Sequence, residues 1–256
     1  MTTPTLVQST TSRPSVARYA IYWAPPRDSE LTRRGLAWLG RDAESPVGGG
    51  GLPPRPLIAG FSPEQLTALT AEPRRYALHA TLKPPFVLAE GHDADSLRVD
   101  LDRFASSSAP FFIPPLRLEV IGRRFLALIP SAPSPDLDAL AARCVTQFDS
   151  YRRPASEEEL SRRRATGLDP IEEAHLRRWG YPYVHDRFRF HVTLTGPLDA
   201  ATIERLRAPL AAFFSPATAA PVEIGEIALF VERTAGDGFT LATRFALTGR
   251  SSSSSL

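Results

Sequence analysis

A pattern of eight residues occurs twice in this chain, and it constrains the fold more than any other feature. His79-Ala80-Thr81-Leu82-Lys83-Pro84-Pro85-Phe86 returns as His191-Val192-Thr193-Leu194-Thr195-Gly196-Pro197-Leu198. Residues i and i+2 of an extended strand point to the same face. Each copy therefore presents an imidazole and a hydroxyl side by side. Two such strands facing each other supply two histidines for acid–base work and two hydroxyls to hold an anion.

The rest of the chain repeats around these copies. Arg18 to Ala24 reads as a strand, aromatic and β-branched, ended by Pro25-Pro26. Asp28 to Leu39 reads as a helix, and Gly48 to Pro56 as a surface connector. Ser62-Pro63-Glu64-Gln65 opens a helix with a capping box, and Pro73 ends it. The first histidine strand is expected over Tyr76 to Leu82, followed by a helix over Asp95–Phe104 and strands at Phe111–Ile113, Leu116–Ile121 and Arg124–Ile129. A helix from Ser134 to about Tyr151 precedes the second histidine strand, Phe188 to Leu194. A helix over Asp199–Phe214 and strands Val222–Glu232 and Phe239–Leu247 complete the second half, with Gly236-Asp237-Gly238 as the hairpin turn.

This order predicts an α+β fold: two pseudo-symmetric lobes of antiparallel sheet with outer helices and a cleft between them. The expected boundaries are a disordered N-terminus over residues 1–15, one bilobal domain over 16–250 and a disordered tail over 251–256. Arg152–Asp186 interrupts the second half as a charged helical insertion, with Asp169-Pro170-Ile171-Glu172 as a further capping box. It serves either as a solvated excursion or as a wall of the site, through Tyr181, Tyr183 or His185.

Composition narrows the chemistry. A net charge of +2 suits an anionic small molecule better than a nucleic-acid track. Cys144 is the single cysteine, so neither an intrachain disulfide nor a cysteine metal cluster can form. No apolar run reaches the length of a membrane span, and the N-terminus lacks the apolar core of a signal peptide. A cytoplasmic location without membrane contact is the expectation. The sequence sets no oligomeric state.

Two histidines with ordinary pKa values near neutrality can divide the labour at a phosphodiester, one as base and one as acid. Thr81 and Thr193 can donate to the non-bridging oxygens, where charge accumulates. A lone His-x-Thr on a strand is usually a packed residue; the second copy in an equivalent place reverses that reading. Neither His-x-His nor His-Glu-x-x-His spacing is present, so no metal and no cofactor is expected. Lys83 is the only lysine among 30 basic residues and shares the strand parity of His79. Thr195 holds the equivalent place after His191. Arg189 has the parity of His191 and can meet a second phosphate. Tyr19 and Tyr22 lie on opposite faces of the first strand, so one at most points at the site; Tyr19 is taken as the substrate contact, with Tyr183 from the insertion.

The paired His79-x-Thr81 and His191-x-Thr193 motifs resemble those of the two-histidine (2H) phosphoesterase superfamily, the LigT-like fold. The wording of Arg18–Tyr22, His79–Phe86, Trp179–Val184 and Phe188–Gly196 is similar to a branch associated with phosphonate metabolism and carbon–phosphorus lyase operons. The resemblance implies metal-independent chemistry at cyclic phosphates or 2′-5′ bonds in a cleft lined by both motifs. Onto this chain it carries His79, Thr81, His191 and Thr193. The expected ligand is a small phosphorylated substrate, foremost a ribose-derived 1,2-cyclic phosphate. Short RNA 2′,3′-cyclic ends and a non-catalytic phosphometabolite sensor remain open alternatives.

Overall fold

The computed structural model describes residues 16–45, 51–165 and 167–250. The expectations for residues 1–15 and 251–256 lie outside the described residues, as do residues 46–50 of the Gly-rich connector.

The chain opens with β1 (Arg18–Trp23), α1 (Glu30–Leu39), α2 (Pro63–Leu69), α3 (Ala71–Arg74), β2 (Ala80–Phe86), α4 (Ala94–Ser106), β3 (Phe111–Ile113) and β4 (Leu116–Ile121). It continues with β5 (Phe125–Pro130), α5 (Pro135–Gln147), α6 (Glu157–Arg164), α7 (Pro170–Trp179), β6 (Val192–Thr193), α8 (Ala200–Thr218), β7 (Val222–Ile224), β8 (Glu226–Glu232) and β9 (Thr240–Ala246). Local chemistry sets most of these bounds. Ser62 and Gln65 form the expected capping box at α2, and Asp169 with Glu172 forms one at α7. Gly180 ends α7 in the left-handed region at φ 72°. Pro73 does not stop α2, which ends at Leu69; it falls in the separate short helix α3.

The histidine strands are shorter or later than expected. Ala77 takes φ 57°, which breaks extension before His79, so β2 begins at Ala80. β2 then runs on through Pro84 and Pro85. β6 is two residues long.

Seven antiparallel strands form one sheet in the order β4-β5-β6-β2-β1-β8-β9, and β3 pairs with β7 in a small second sheet. The two expected lobes are the two sides of the large sheet. They are joined at the centre by one residue pair, Ala80 with Val192. The repeat is β1-to-β4 and β5-to-β8: each half runs strand, helices, histidine strand, helix, short strand, strand. The last strand of each half crosses over, β4 pairing with β5 and β8 with β1. β9 has no counterpart and widens one side.

One face of the sheet carries the core. Ile21, Trp23, Ala80, Leu82, Val192, Leu194, Leu128 and Leu229 pack there against Trp38, Leu101, Leu140 and Leu210 of α1, α4, α5 and α8. The opposite face holds a smaller cluster of Ala20, Tyr22, Ala228, Phe230 and Phe239. The insertion contributes little to the core, since α6 buries no residue and α7 buries Leu176.

The residue after the second histidine pair is pinned from below. The buried Trp38 indole N–H donates to the Leu194 carbonyl at 2.7 Å. Removing the donor leaves a buried carbonyl unpaired, a loss of about 1–3 kcal/mol. Trp38→Phe is therefore expected to lower unfolding free energy by about that amount in urea titration; an unchanged midpoint would show that this bond does not hold β6 in place.

Candidate active site

The central pair fixes the site. Ala80 and Val192 are opposed, and both point into the core. One step along this register sets His79 across from Thr193 and Thr81 across from His191. All four alternate with core residues and so share the other face of the sheet. The flanking strands agree, with Thr81 opposite Tyr22 and Thr193 opposite Ala127.

Both histidines are held the same way. His79 Nδ1 donates to the carbonyl of Ala77 at 3.0 Å, and His191 Nδ1 donates to that of Arg189 at 2.7 Å. A carbonyl only accepts, so each neutral ring carries its proton on Nδ1 and turns the Nε2 lone pair outward. The Thr81 hydroxyl lies 3.4 Å from His79 Nε2.

Their surroundings differ. Tyr22 stacks on the His79 ring at 4.0 Å and 27°, with Tyr76 at 5.9 Å and Phe230 at 6.2 Å. At the place of Tyr22 the other half has Ala127. Although an edge of His79 remains accessible, this aromatic shell makes its imidazolium unfavourable. Burial pushes its pKa down to about 4, the Ala77 carbonyl opposes the shift, and a charge on the nearby His191 adds to it. His191 is also lowered by burial, against the pull of the Arg189 carbonyl. The phenol of Tyr22 is raised by its own burial and then by the hydroxyls of Tyr76 and Tyr181.

Several expected contacts are corrected. Lys83 does not share the face of His79. Thr81 opposes Tyr22 while Lys83 opposes Ile21, so Leu82 is an extra residue, a bulge that reverses the parity. Lys83 therefore enters the core side, 1% exposed, donating to the Val145 carbonyl at 3.1 Å. Burial lowers its pKa to about 8, partly offset by Asp149. A second register shift follows at Pro84-Pro85, which lack N–H groups for the ladder. Thr195 is also lost to the site, because β6 has ended and its buried hydroxyl accepts the Leu126 N–H at 3.0 Å.

Tyr19 lies on the core face, 6.4 Å from the Phe86 ring. Tyr22 is the strand tyrosine at the histidine. The signal was present: Tyr19, Ile21 and Trp23 form the more apolar stripe of β1, which leaves Tyr22 for the other face. Tyr183 is exposed and meets Tyr181 edge-on at 5.6 Å. Tyr181 is the insertion residue near Tyr22 and Tyr76. Arg189 contributes its carbonyl, and its side chain is exposed.

The remaining histidines lie elsewhere. His92 packs on Tyr151 at 4.4 Å, and His175 pairs with Asp186 at 3.2 Å within the insertion. Among the described residues no group of three or more His, Cys, Asp or Glu is placed to hold a metal ion. No described helix is long and apolar enough to cross a membrane. A cavity of about 110 Å³ between Ala24, Leu36, Arg41 and Leu241 does not include the histidines.

Fold and site together define an α+β protein built on two related halves, with one His-x-Thr pair from each. The chain belongs to the family described as a protein of unknown function, DUF1045, which matches residues 81–240. It is 38% identical over 250 residues to a ribose 1,5-bisphosphate phosphokinase PhnN of Janthinobacterium sp. (strain Marseille), covering 96% of this chain and 54% of that protein. It is 38% identical over 226 residues to the protein of the same name from Laribacter hongkongensis (strain HLHK9), covering 88% and 50%. The chain thus spans about half the length of these curated relatives. Among solved structures it is similar to E. coli LigT complexed with 3′-AMP, at 17% identity and TM-score 0.41 over 92% of this chain and 99% of that one. TT0787 of Thermus thermophilus is similar at 14% identity and TM-score 0.41, over 91% and 100%.

Two outcomes follow from this geometry. A histidine whose folded pKa is depressed takes its proton more readily unfolded, so stability falls as pH drops from about 6.5 towards about 4. His79→Gln is expected to flatten that part of the stability–pH curve; an unchanged slope would remove the aromatic shell as its cause. Lys83→Met is expected to change unfolding free energy by less than about 1–3 kcal/mol in urea titration, because relief of the buried ammonium offsets the unpaired Val145 carbonyl.

Proposed function

We propose that this chain is a metal-independent phosphodiesterase that opens a small cyclic phosphate by two-histidine acid–base catalysis. The observation that carries the reading is the register of Ala80 with Val192, which sets each histidine across from the other strand's threonine.

His79 is held neutral by its aromatic shell and acts as base. Its Nε2 takes a proton from water as the water oxygen bonds to phosphorus. The bond from phosphorus to the ring alkoxide breaks, and His191 Nε2–H delivers its proton to that oxygen. His191 takes the acid role because Ala127, not a stacked ring, stands beside it, and a bound phosphate anion favours its imidazolium. Thr81 and Thr193 donate to the non-bridging oxygens as charge builds there. His79 then loses its proton to solvent and His191 takes one back from it, which restores both groups and leaves a phosphomonoester.

The relatives' name supports a phosphorylated ribose as the substrate class. Those proteins are about twice as long, and a kinase needs a nucleotide site. The only lysine here follows Leu82 and is buried against Val145, so this chain has no Gly-Lys-Ser/Thr phosphate loop. We assign kinase chemistry to the part of the relatives beyond the match, and the opening of a ribose-derived 1,2-cyclic phosphate, in the cytoplasm, to the part shared with this chain.

The test is ³¹P NMR with EDTA present, on ribose 1,2-cyclic phosphate and nucleoside 2′,3′-cyclic phosphates. The parent should give a monoester. His79→Ala and His191→Ala should each lower kcat by about 10²–10⁴, and Thr81→Val or Thr193→Val by about 10². Preference for the nucleoside compounds would replace the ribose reading with RNA-end processing. Binding without conversion would defeat the catalytic assignment and leave a sensor.

A further inference from the structure

Four side chains among the described residues keep a buried nitrogen without a hydrogen-bond partner: Trp23, Arg41, His185 and Arg187. Trp23 carries no charge, burial lowers the pKa of His185, and Arg187 is paired with Asp169 at 2.7 Å. Arg41 differs from these. It is 7% exposed, its Nη2 donates to the Phe239 carbonyl at 2.9 Å, and its Nε–H meets no acceptor. Among the described residues no carboxylate forms an ion pair with it. Asp42 instead accepts from the Glu44 N–H and the Ser45 hydroxyl, each at 2.8 Å, and Glu44 binds Arg27 and Arg244. Burial lowers the pKa of Arg41, and the charge of Asp42 opposes that shift. A guanidinium starts so high that it stays charged.

Arg41 lines the cavity of about 110 Å³, with Leu36, Leu78 and Leu241 as apolar walls. The backbone around it is fixed. Gly40 ends α1 in the left-handed region at φ 64°, and the Leu241 N–H donates to the Ala43 carbonyl at 2.8 Å. A buried charge without a counter-charge is costly, and a buried donor left unpaired costs about 1–3 kcal/mol. An anion in the cavity relieves both. The lining also selects the kind of anion. Arg27 and Arg244 are committed to Glu44, and Arg244 to Glu226 as well, so Arg41 is the cation of this lining without a carboxylate. One uncommitted charge suits a monoanion, because a dianion would meet Asp42 and Glu44 with no second cation to offset them. A planar carboxylate matches the guanidinium fork. An apolar cavity of about 150 Å³ holds a benzene molecule, so the smaller space here takes a short alkyl chain.

We propose that this cavity binds a short-chain monocarboxylate, with its carboxylate on Arg41 and its alkyl body against Leu36, Leu78 and Leu241. The site stands apart from the two histidines and does not rest on the phosphodiesterase reading, whose failure would leave it standing.

The experiment is a ¹H–¹⁵N NMR titration of the full chain with butyrate, butyramide and inorganic phosphate, in the parent, Arg41→Gln, Leu36→Phe and His191→Ala. Butyrate should shift the amides of Ala43 and Leu241 to saturation. Butyramide, of the same shape without the charge, should bind at least about 10-fold more weakly, and Arg41→Gln should weaken butyrate by about 10- to 100-fold, the size of a lost charge-assisted hydrogen bond. Leu36→Phe keeps Arg41 and fills the cavity from a partly exposed wall, so it should also weaken butyrate by at least about 10-fold. His191→Ala should bind as the parent does. The proposal is overturned by the absence of a saturable shift at Ala43 and Leu241, by equal binding of butyramide, or by tighter binding of phosphate at those amides. Binding lost in His191→Ala but kept in Leu36→Phe would place the anion at the histidines and overturn it too. Should Arg41→Gln fail to fold, Leu36→Phe decides: weaker binding upholds the site, and equal binding overturns it.

Discussion

The antiparallel pairing of Ala80 with Val192 is the interaction on which the site depends. It turns two half-sheets into one and sets the register of the two motifs at once. Because side chains alternate with period two, a slip of one strand by one residue would send its histidine into the core and its apolar residue to the other face. The core prevents that slip, since Ala80 and Val192 lie where only apolar groups fit. Trp38 secures the strand beyond through Leu194. The placement of the two His-x-Thr pairs is thus enforced from the opposite face of the sheet.

Repetition makes the two halves alike, and local substitutions make them unequal. The Nδ1 anchors are identical in kind, each a carbonyl two residues upstream. Tyr22 on one side and Ala127 on the other then separate the proton affinities of two chemically identical groups. A symmetric pair of imidazoles has no preferred direction for moving protons. The stacked ring of Tyr22 makes the two imidazoles unequal.

The motif, the capping boxes, the helices and the strand succession were legible because each depends on nearby residues. Ser62 with Gln65 and Asp169 with Glu172 needed no tertiary information. Two of the misplaced contacts share one cause. Lys83 and Thr195 both stand four residues after a histidine, and parity alone puts them in the site. A bulge at Leu82 and the early end of β6 after Thr193 break that parity. Bulges arise from pairing with a neighbouring strand, and nothing within the strand announces them except, here, the proline pair. Tyr22 could have been read from the apolar stripe opposite it. Which residue of the insertion lies near Tyr22 and Tyr76 could not, because distant segments bring Tyr181 to them.

The exchange of final strands between the halves has a further consequence for how such a chain could have arisen. β4 completes the sheet of the second half and β8 that of the first, so neither half is closed alone. A single half-length ancestor would expose an unpaired edge that its own twin could fill. Two copies would assemble about a two-fold axis through the central pair, each lending its last strand to the other, as in a domain-swapped dimer. Joining the copies in one polypeptide would preserve that geometry while freeing each to diverge. On this view the present single-chain sheet is a fused dimer interface, and its divided chemistry became possible when the two sites ceased to be encoded by the same residues.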